Sequence, residues 1–262
     1  MFELMKGDCL ELMKQIPDNA VDMILCDLPY GTTACKWDSV IPFAGLWSEY
    51  RRIISFNGAI VLTASQPFTS ALVMSATDLF KYCLVWEKSR ATGHVHAKNK
   101  PMKSHEDICV FSPGTTVHAS QSKSRMVYNP QGIIDIERES YRPSRGVSGS
   151  DVTCSLRPSH KQTVKQTATG YPKSVQRFNS EHNVGAFHPT QKPVALMEYL
   201  IRTYTHEGMT VLDNCMGGGT TGAACANTGR KFIGIEMDEK YFEIAKNRVE
   251  SAYSKNELEE LK

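Results

Sequence analysis

The sequence predicts an α/β protein: a mostly parallel sheet with helices on both faces, interrupted by a polar insertion. Three observations carry this. Val21–Cys26 and residues 59–63 are continuously apolar, the pattern of parallel strands buried on both faces rather than on one. Between residues 210 and 250 a strand, a Gly-rich turn, a helix, a strand and a helix follow in order, and parallel neighbours need such helical crossovers. Residues 115–185, by contrast, lose apolar clusters and fill with Ser, Thr, Gln, Lys and Arg, which cannot supply a core. A chain of 262 residues, 41% hydrophobic, can bury one sizeable core. We therefore expect residues 1–114 and 186–262 to form one domain and 115–185 to be inserted into it.

The elements follow in order. The first thirty residues read as a helix over 9–16, stopped by Pro17, then the strand Val21–Cys26. Residues 59–63 form the next strand, and Pro67 opens a helix that runs through Met74. Residues 83–86 and 108–111 are further strands. Beyond the insertion, Pro193 begins a helix over 194–204, followed by the strand Thr210–Asp213, a helix from Thr220 to about Asn227, a strand over 231–235 and a helix from Glu239 to about Glu250. The charged tail, 255–262, reads as a solvated helix end.

Composition excludes several classes. No run approaches the eighteen apolar residues of a membrane span, and the N-terminus lacks a signal-peptide layout, so a cytoplasmic protein is expected. The eight cysteines include no Cys-x-x-Cys pair; reduced, buried thiols are expected, and a zinc site from His94, His96 and His105 is not. Net charge is only +2, but its distribution is uneven. Residues 88–177 hold fifteen Lys/Arg against six Asp/Glu, a net +9, which leaves about −7 elsewhere. A basic middle on an acidic frame suits a polyanionic partner, although a solvated basic loop has the same signature.

Gly217-Gly218-Gly219-Thr220-Thr221-Gly222 satisfies G-x-G-x-x-G directly after a strand, and Glu236 closes the next strand. Glycines let a ligand approach the backbone, and a carboxylate at that strand end can accept hydrogen bonds from a ribose diol. The pattern fits a nicotinamide dinucleotide or S-adenosylmethionine. Asp213, an anion beside the loop, would repel a pyrophosphate but could pair with an ammonium; it could also be a turn aspartate.

Asp27-Leu28-Pro29-Tyr30 closes the strand Val21–Cys26, at the edge where open parallel sheets present their active sites. This segment resembles the D-P-P-Y motif of DNA amino-methyltransferases. The run Val211 to Gly222 resembles that family's cofactor motif, and His188-Pro189-Thr190-Gln191-Lys192-Pro193 its H-P-T-x-K-P segment. The order of catalytic motif, basic region and cofactor motif is similar to the family's beta arrangement. The resemblance implies a Rossmann-like S-adenosylmethionine-dependent methyltransferase fold, with 115–185 as the target-recognition region. It further implies that Asp27 and the Leu28 carbonyl accept the protons of an exocyclic base amine, and that Tyr30 stacks on a base flipped out of duplex DNA. Asp213, Gly217 and Gly219 would line the methionine part of the cofactor, Glu236 its ribose, and Thr190 and Lys192 its carboxylate. Asp8 would bond the cofactor's adenine or cap a turn. Two departures stand out: Leu28 where the family usually has proline, and Cys215 where it usually has an aromatic. Trp37 could cover the pocket or belong to the core.

Lys88, Arg90, Lys98, Lys100 and Lys103 are expected to contact phosphates. Arg138, Arg142, Arg145 and Arg157 are candidates for guanine contacts, and Tyr141 or Tyr171 for a wedge behind the flipped base. Asp at the head of the motif resembles the adenine-N6 group, where cytosine-N4 enzymes more often carry Ser. Alternatives are a cytosine-N4 enzyme, an inactive DNA-binding relative, a methyltransferase for RNA or protein glutamine, and a nicotinamide-dependent oxidoreductase. A role in restriction-modification and a homodimeric state are what the family suggests.

Overall fold

The computed structural model describes residues 1–32, 38–116, 124–141, 163–179 and 191–260. The chain forms two compact units, Met1–Asn129 with Ser174–Lys262, and Pro130–Lys173. In the larger unit the strands are β1 (Phe2–Lys6), β2 (Val21–Cys26), β3 (Ile54–Ala64), β4 (Phe80–Thr92), β5 (Lys103–Phe111), β8 (Val175–Phe178), β9 (Thr210–Asp213) and β10 (Lys231–Glu236). Its helices are α1 (Cys9–Leu12), α2 (Phe43–Ile53), α3 (Phe68–Met74), α4 (Val194–Tyr204), α5 (Thr220–Asn227) and α6 (Glu239–Glu260). The smaller unit holds β6 (Ile134–Tyr141) and β7 (Thr163–Thr169), an antiparallel pair.

The eight strands of the larger unit lie in the order β1-β10-β9-β2-β3-β5-β4-β8. The pairs from β1 to β3 are all parallel; β5 runs against both β3 and β4, and β8 is parallel to β4. Side chains of β2 alternate between two cores. Ile24 and Cys26 join Leu46, Trp47, Tyr50 and Leu72 of α2 and α3 on one face. Met23 and Leu25 join Leu200 and Tyr204 of α4, Cys225 of α5 and Val249 of α6 on the other. Burial on both faces is why β2 reads as an unbroken apolar run. Among the described residues no helix is long and apolar enough to cross a membrane.

The structure adds elements and extends others. The chain begins with β1, not with a helix; β1 pairs along β10 from Phe2↔Phe232 to Lys6↔Glu236. Helix α2 lies where no element was expected, and it buries Leu46, Trp47, Tyr50 and Ile53 at helical spacing. β4 and β5 reach well past their apolar centres, and α6 continues through the charged tail to Glu260.

Candidate active site

Parallel strands bring their carboxyl ends to one edge of a sheet, and here that edge collects the chemistry. Asp27 follows β2, Asp213 ends β9, Glu236 ends β10 and Gly7-Asp8 follows β1. Thr63 lies near the end of β3, while Glu106, near the start of the reversed β5, reaches the same edge. A cavity of about 420 Å³ opens there. Asp8, Asp27, Leu28, Pro29, Tyr30, Lys192, Asp213, Cys215, Gly217 and Glu236 all line it.

Both oxygens of Asp27 are held. Oδ1 accepts from the Tyr30 hydroxyl at 2.7 Å and from the Thr63 hydroxyl, and Oδ2 accepts from Lys192 Nζ at 2.6 Å. The Tyr30 ring stacks on Phe68, centroids 5.1 Å apart and planes at 28°, and burial pushes its hydroxyl well above the ordinary tyrosine pKa. Asp38 accepts from the amides of Gly31 at 2.8 Å and Thr32 at 2.9 Å, fixing the chain just beyond the motif.

On the other side of the cavity, Asp213 shapes the glycine loop. Its Oδ1 accepts the Cys215 amide at 3.1 Å and its Oδ2 the Thr221 hydroxyl at 2.6 Å. Burial pushes this carboxyl up from 3.8 to about 6, against the pull of those hydrogen bonds. Glu236 accepts the amides of Gly217 at 2.9 Å and Asp238 at 2.8 Å, and burial raises its pKa as well. Gly217 has a φ of +49°, with open space where a Cβ would stand, so a ligand can approach its backbone directly. A pocket of this size, with two carboxylates and an open glycine backbone, fits a nucleoside carrying a cationic amino-acid arm.

Some expectations are corrected by the geometry. Gly219 does not line the cavity; at φ +73° it caps α5, and its missing Cβ leaves room for Ala245 of α6, whose Cα would lie 3.0 Å away. Lys192 does line it, yet its ammonium pairs with Asp27 and, at 3.2 Å, with Glu106. Asp8 caps α1, accepting the Leu10 amide at 2.8 Å and that of Glu11 at 3.3 Å, while also facing the cavity. Lys88 turns inward to Glu106 and Lys103 bonds Ser65, so neither is a free phosphate ligand. Arg90, Lys98, Lys100, Arg138 and Tyr171 are exposed. Thr190, Trp37, Arg142, Arg145, Arg157 and the Tyr141 side chain lie outside the described residues. Sequence reasoning missed Thr63 and Glu106, whose local signal was a place near a strand end, and Asp38, which lies in no regular element.

A family model described as DNA methylase matches residues 21–247. The chain is similar to the DNA adenine methyltransferase YhdJ of Escherichia coli K12, 27% identical over 276 aligned positions that cover 99% of this chain and 87% of that protein. It is also similar to the type II methyltransferase M.HpaI of Haemophilus parainfluenzae, 25% identical over 264 positions, 96% of this chain and 75% of that one. Among solved structures, the M1.HpyAVI–SAM complex aligns with a TM-score of 0.63 at 24% identity, covering 95% of this chain and 99% of the other. The cytosine-N4-specific PvuII DNA methyltransferase aligns with a TM-score of 0.66 at 14% identity, covering 97% and 92%. Both share the α/β fold described above.

Proposed function

This chain belongs to the N6/N4 DNA methylase family, and on that premise we propose that it methylates the N6 amine of adenine in duplex DNA, with the base turned out of the helix and S-adenosylmethionine as donor. The observation that carries this reading is one cavity lined both by Asp27-Leu28-Pro29-Tyr30 and by the glycine loop with its two carboxylates. An exocyclic amine is a poor nucleophile, because its lone pair is delocalised into the ring. Asp27 and the Leu28 carbonyl accept its N–H groups and favour a tetrahedral nitrogen, a preorganised electrostatic contribution. Asp27 would take the proton that the amine sheds on methylation and pass it to water, while the electrons of the donor's C–S bond would remain on sulfur. Tyr30, backed by Phe68, offers its ring to the base, which is out of reach while stacked in a duplex.

S-adenosylmethionine supplies, when bound, a methyl group on a positively charged sulfur. Asp213 would hold its ammonium, Glu236 its ribose hydroxyls and the Gly217 backbone its methionine arm. Asp8 would bond its adenine amine and Cys215 would pack beside it; Thr190, which the resemblance assigns to its carboxylate, lies outside the described residues. Residues 115–185 supply target recognition, with Arg138 and Tyr171 among its contacts. Asp rather than Ser at the head of the motif supports adenine, as does the likeness to a protein named DNA adenine methyltransferase. Cytosine N4 is the second reading, supported by a family that covers both amines.

The test is incubation with tritiated S-adenosylmethionine and unmethylated duplex DNA, followed by nucleoside analysis. Label in N6-methyldeoxyadenosine that vanishes with Asp27→Ala is the expected result. Label in N4-methyldeoxycytidine selects the second reading, and no label in any base overturns both.

A further inference from the structure

Four charged side chains of alternating sign run inward from the Asp27 carboxylate. Lys192 Nζ lies 2.6 Å from Asp27 Oδ2 and 3.2 Å from Glu106 Oε2, and Lys88 Nζ bonds Glu106 Oε1. Lys192 is 8% exposed and Glu106 9%. Burial alone would neutralise both groups, but here it loses. The two carboxylates outweigh it at Lys192, whose pKa is raised, and the two ammonium groups outweigh it at Glu106, whose pKa is lowered. Lys192 and Glu106 are therefore held as an ion pair in the middle of the row, between the Asp27 carboxylate and the Lys88 ammonium.

One atom in it is incompletely satisfied. Glu106 Oε2 is buried and makes no well-formed hydrogen bond; its cation is Lys192, at ion-pair distance. Asp27, meanwhile, has no oxygen to spare, since Oδ1 holds two hydroxyls and Oδ2 holds Lys192. A base amine that bonds Asp27 has to displace one of these partners. If Lys192 yields, its ammonium needs another anion within reach, because an unpaired buried charge costs several kcal/mol.

We infer that Glu106 is a positioning residue, the second seat of the Lys192 ammonium, which moves from Asp27 Oδ2 onto Glu106 Oε2 as the substrate amine arrives. The inference rests on the methylase reading, and it moves Lys192 from the cofactor's carboxylate to the catalytic carboxylate. Lys88 holds the far oxygen of Glu106, so the near one stays aimed at Lys192. Without the charge on Glu106, Lys192 stays on Asp27 after the DNA has bound and withholds that oxygen from the flipped amine, and the site carries a surplus positive charge where the amine nitrogen is becoming positive.

The experiment compares wild type, Glu106→Gln and Glu106→Asp in methyl transfer to mixed-sequence unmethylated duplex DNA, with S-adenosylmethionine Kd and melting temperature measured alongside. Glu106→Gln should lower kcat by about tenfold to a hundredfold with the cofactor Kd and the DNA KM within about twofold of wild type. Glu106→Asp keeps the charge and should recover part of the loss; if the Gln variant fails to fold, the Asp variant carries the test alone, with reduced kcat at unchanged Kd expected. Wild-type kcat in Glu106→Gln, or in Glu106→Asp where the Gln variant does not fold, or a loss of cofactor affinity in step with rate, overturns the inference. A wild-type protein that labels no DNA overturns it together with the methylase reading, whereas labelled wild type with unaffected variants overturns it alone.

Discussion

Asp27 and Asp213 are both carboxylates at strand ends on one cavity, yet their surroundings assign them different work. Asp27 is bonded by Tyr30, Thr63 and Lys192, groups that hold an anion in one orientation. Asp27→Asn keeps the shape and removes the charge. It should lower methyl transfer by about a hundredfold or more while S-adenosylmethionine affinity, read by calorimetry, is unchanged. Among the described residues Asp213 has no cation beside it, and burial lifts its carboxyl to about 6. The sign follows: between about pH 4 and 6 the folded protein keeps a proton that the unfolded chain has lost, so this group lowers stability as pH rises through that window. A bound ammonium reverses the preference by favouring the carboxylate. Cofactor binding should then expel a proton below about pH 6 and weaken by up to tenfold per pH unit as pH falls further. Titrations on either side of that pH check this, and Asp213→Asn should flatten the dependence. The motifs made Asp27, Asp213 and Glu236 legible, because their spacing from strands is local. Glu106 and Thr63 were not legible, since strand pairing alone brings β3 and β5 beside β2. Lys88 was misread for the same reason: counting charge along the chain cannot see that it bonds Glu106, eighteen residues away on the neighbouring strand.

At the scale of elements, the segments whose boundaries were read correctly are those buried on both faces or bounded by strong stops. β2, β9, α4 and α5 match their expected limits, the last two flanked by Pro193 and by the glycine loop. β1 was missed because only one sheet neighbour covers it, so its five residues mix apolar and charged side chains. The Phe43–Ile53 helix lacks a side-chain cap at its start and follows residues with no regular pattern, which hid its buried stripe. The glycine loop, read as a cofactor cradle throughout, divides its labour: Gly217 faces open space, but Gly219 serves the α5–α6 contact. Gly219→Ala places a Cβ at positive φ against the Ala245 backbone. It should destabilise the protein by about 1–2 kcal/mol from the backbone strain alone, with more from the contact. Urea denaturation measures this, and Gly217→Ala should cost less stability while weakening S-adenosylmethionine binding.

The larger unit builds both hydrophobic cores, and none of the described residues of the smaller belongs to either. Pro130–Lys173 contributes an antiparallel pair with Ile133 and Ile134 exposed, and two strands alone are marginal in water. Its ends run side by side, Gly132 against Gly170. The residues that flank it are anchored in the larger unit: the Asn129 amide bonds the Thr203 carbonyl at 2.7 Å, and β8 adds to β4, with Trp86 Nε1 donating to the Phe178 carbonyl at 3.0 Å. Replacing residues 130–173 with a short Gly-Ser linker therefore removes no strand of the eight-stranded sheet and, among the described residues, none that lines the cavity. It does remove seven Lys/Arg and four Asp/Glu, a net +3. The shortened protein should melt cooperatively and bind S-adenosylmethionine as the full chain does. Its DNA affinity should fall, and the remaining affinity should depend less steeply on salt, because fewer phosphate contacts release fewer counterions. Retained sequence-selective methylation would assign recognition to the exposed β4–β5 end with Arg90, Lys98 and Lys100. Loss of cofactor binding would mean that the smaller unit supports the cavity after all.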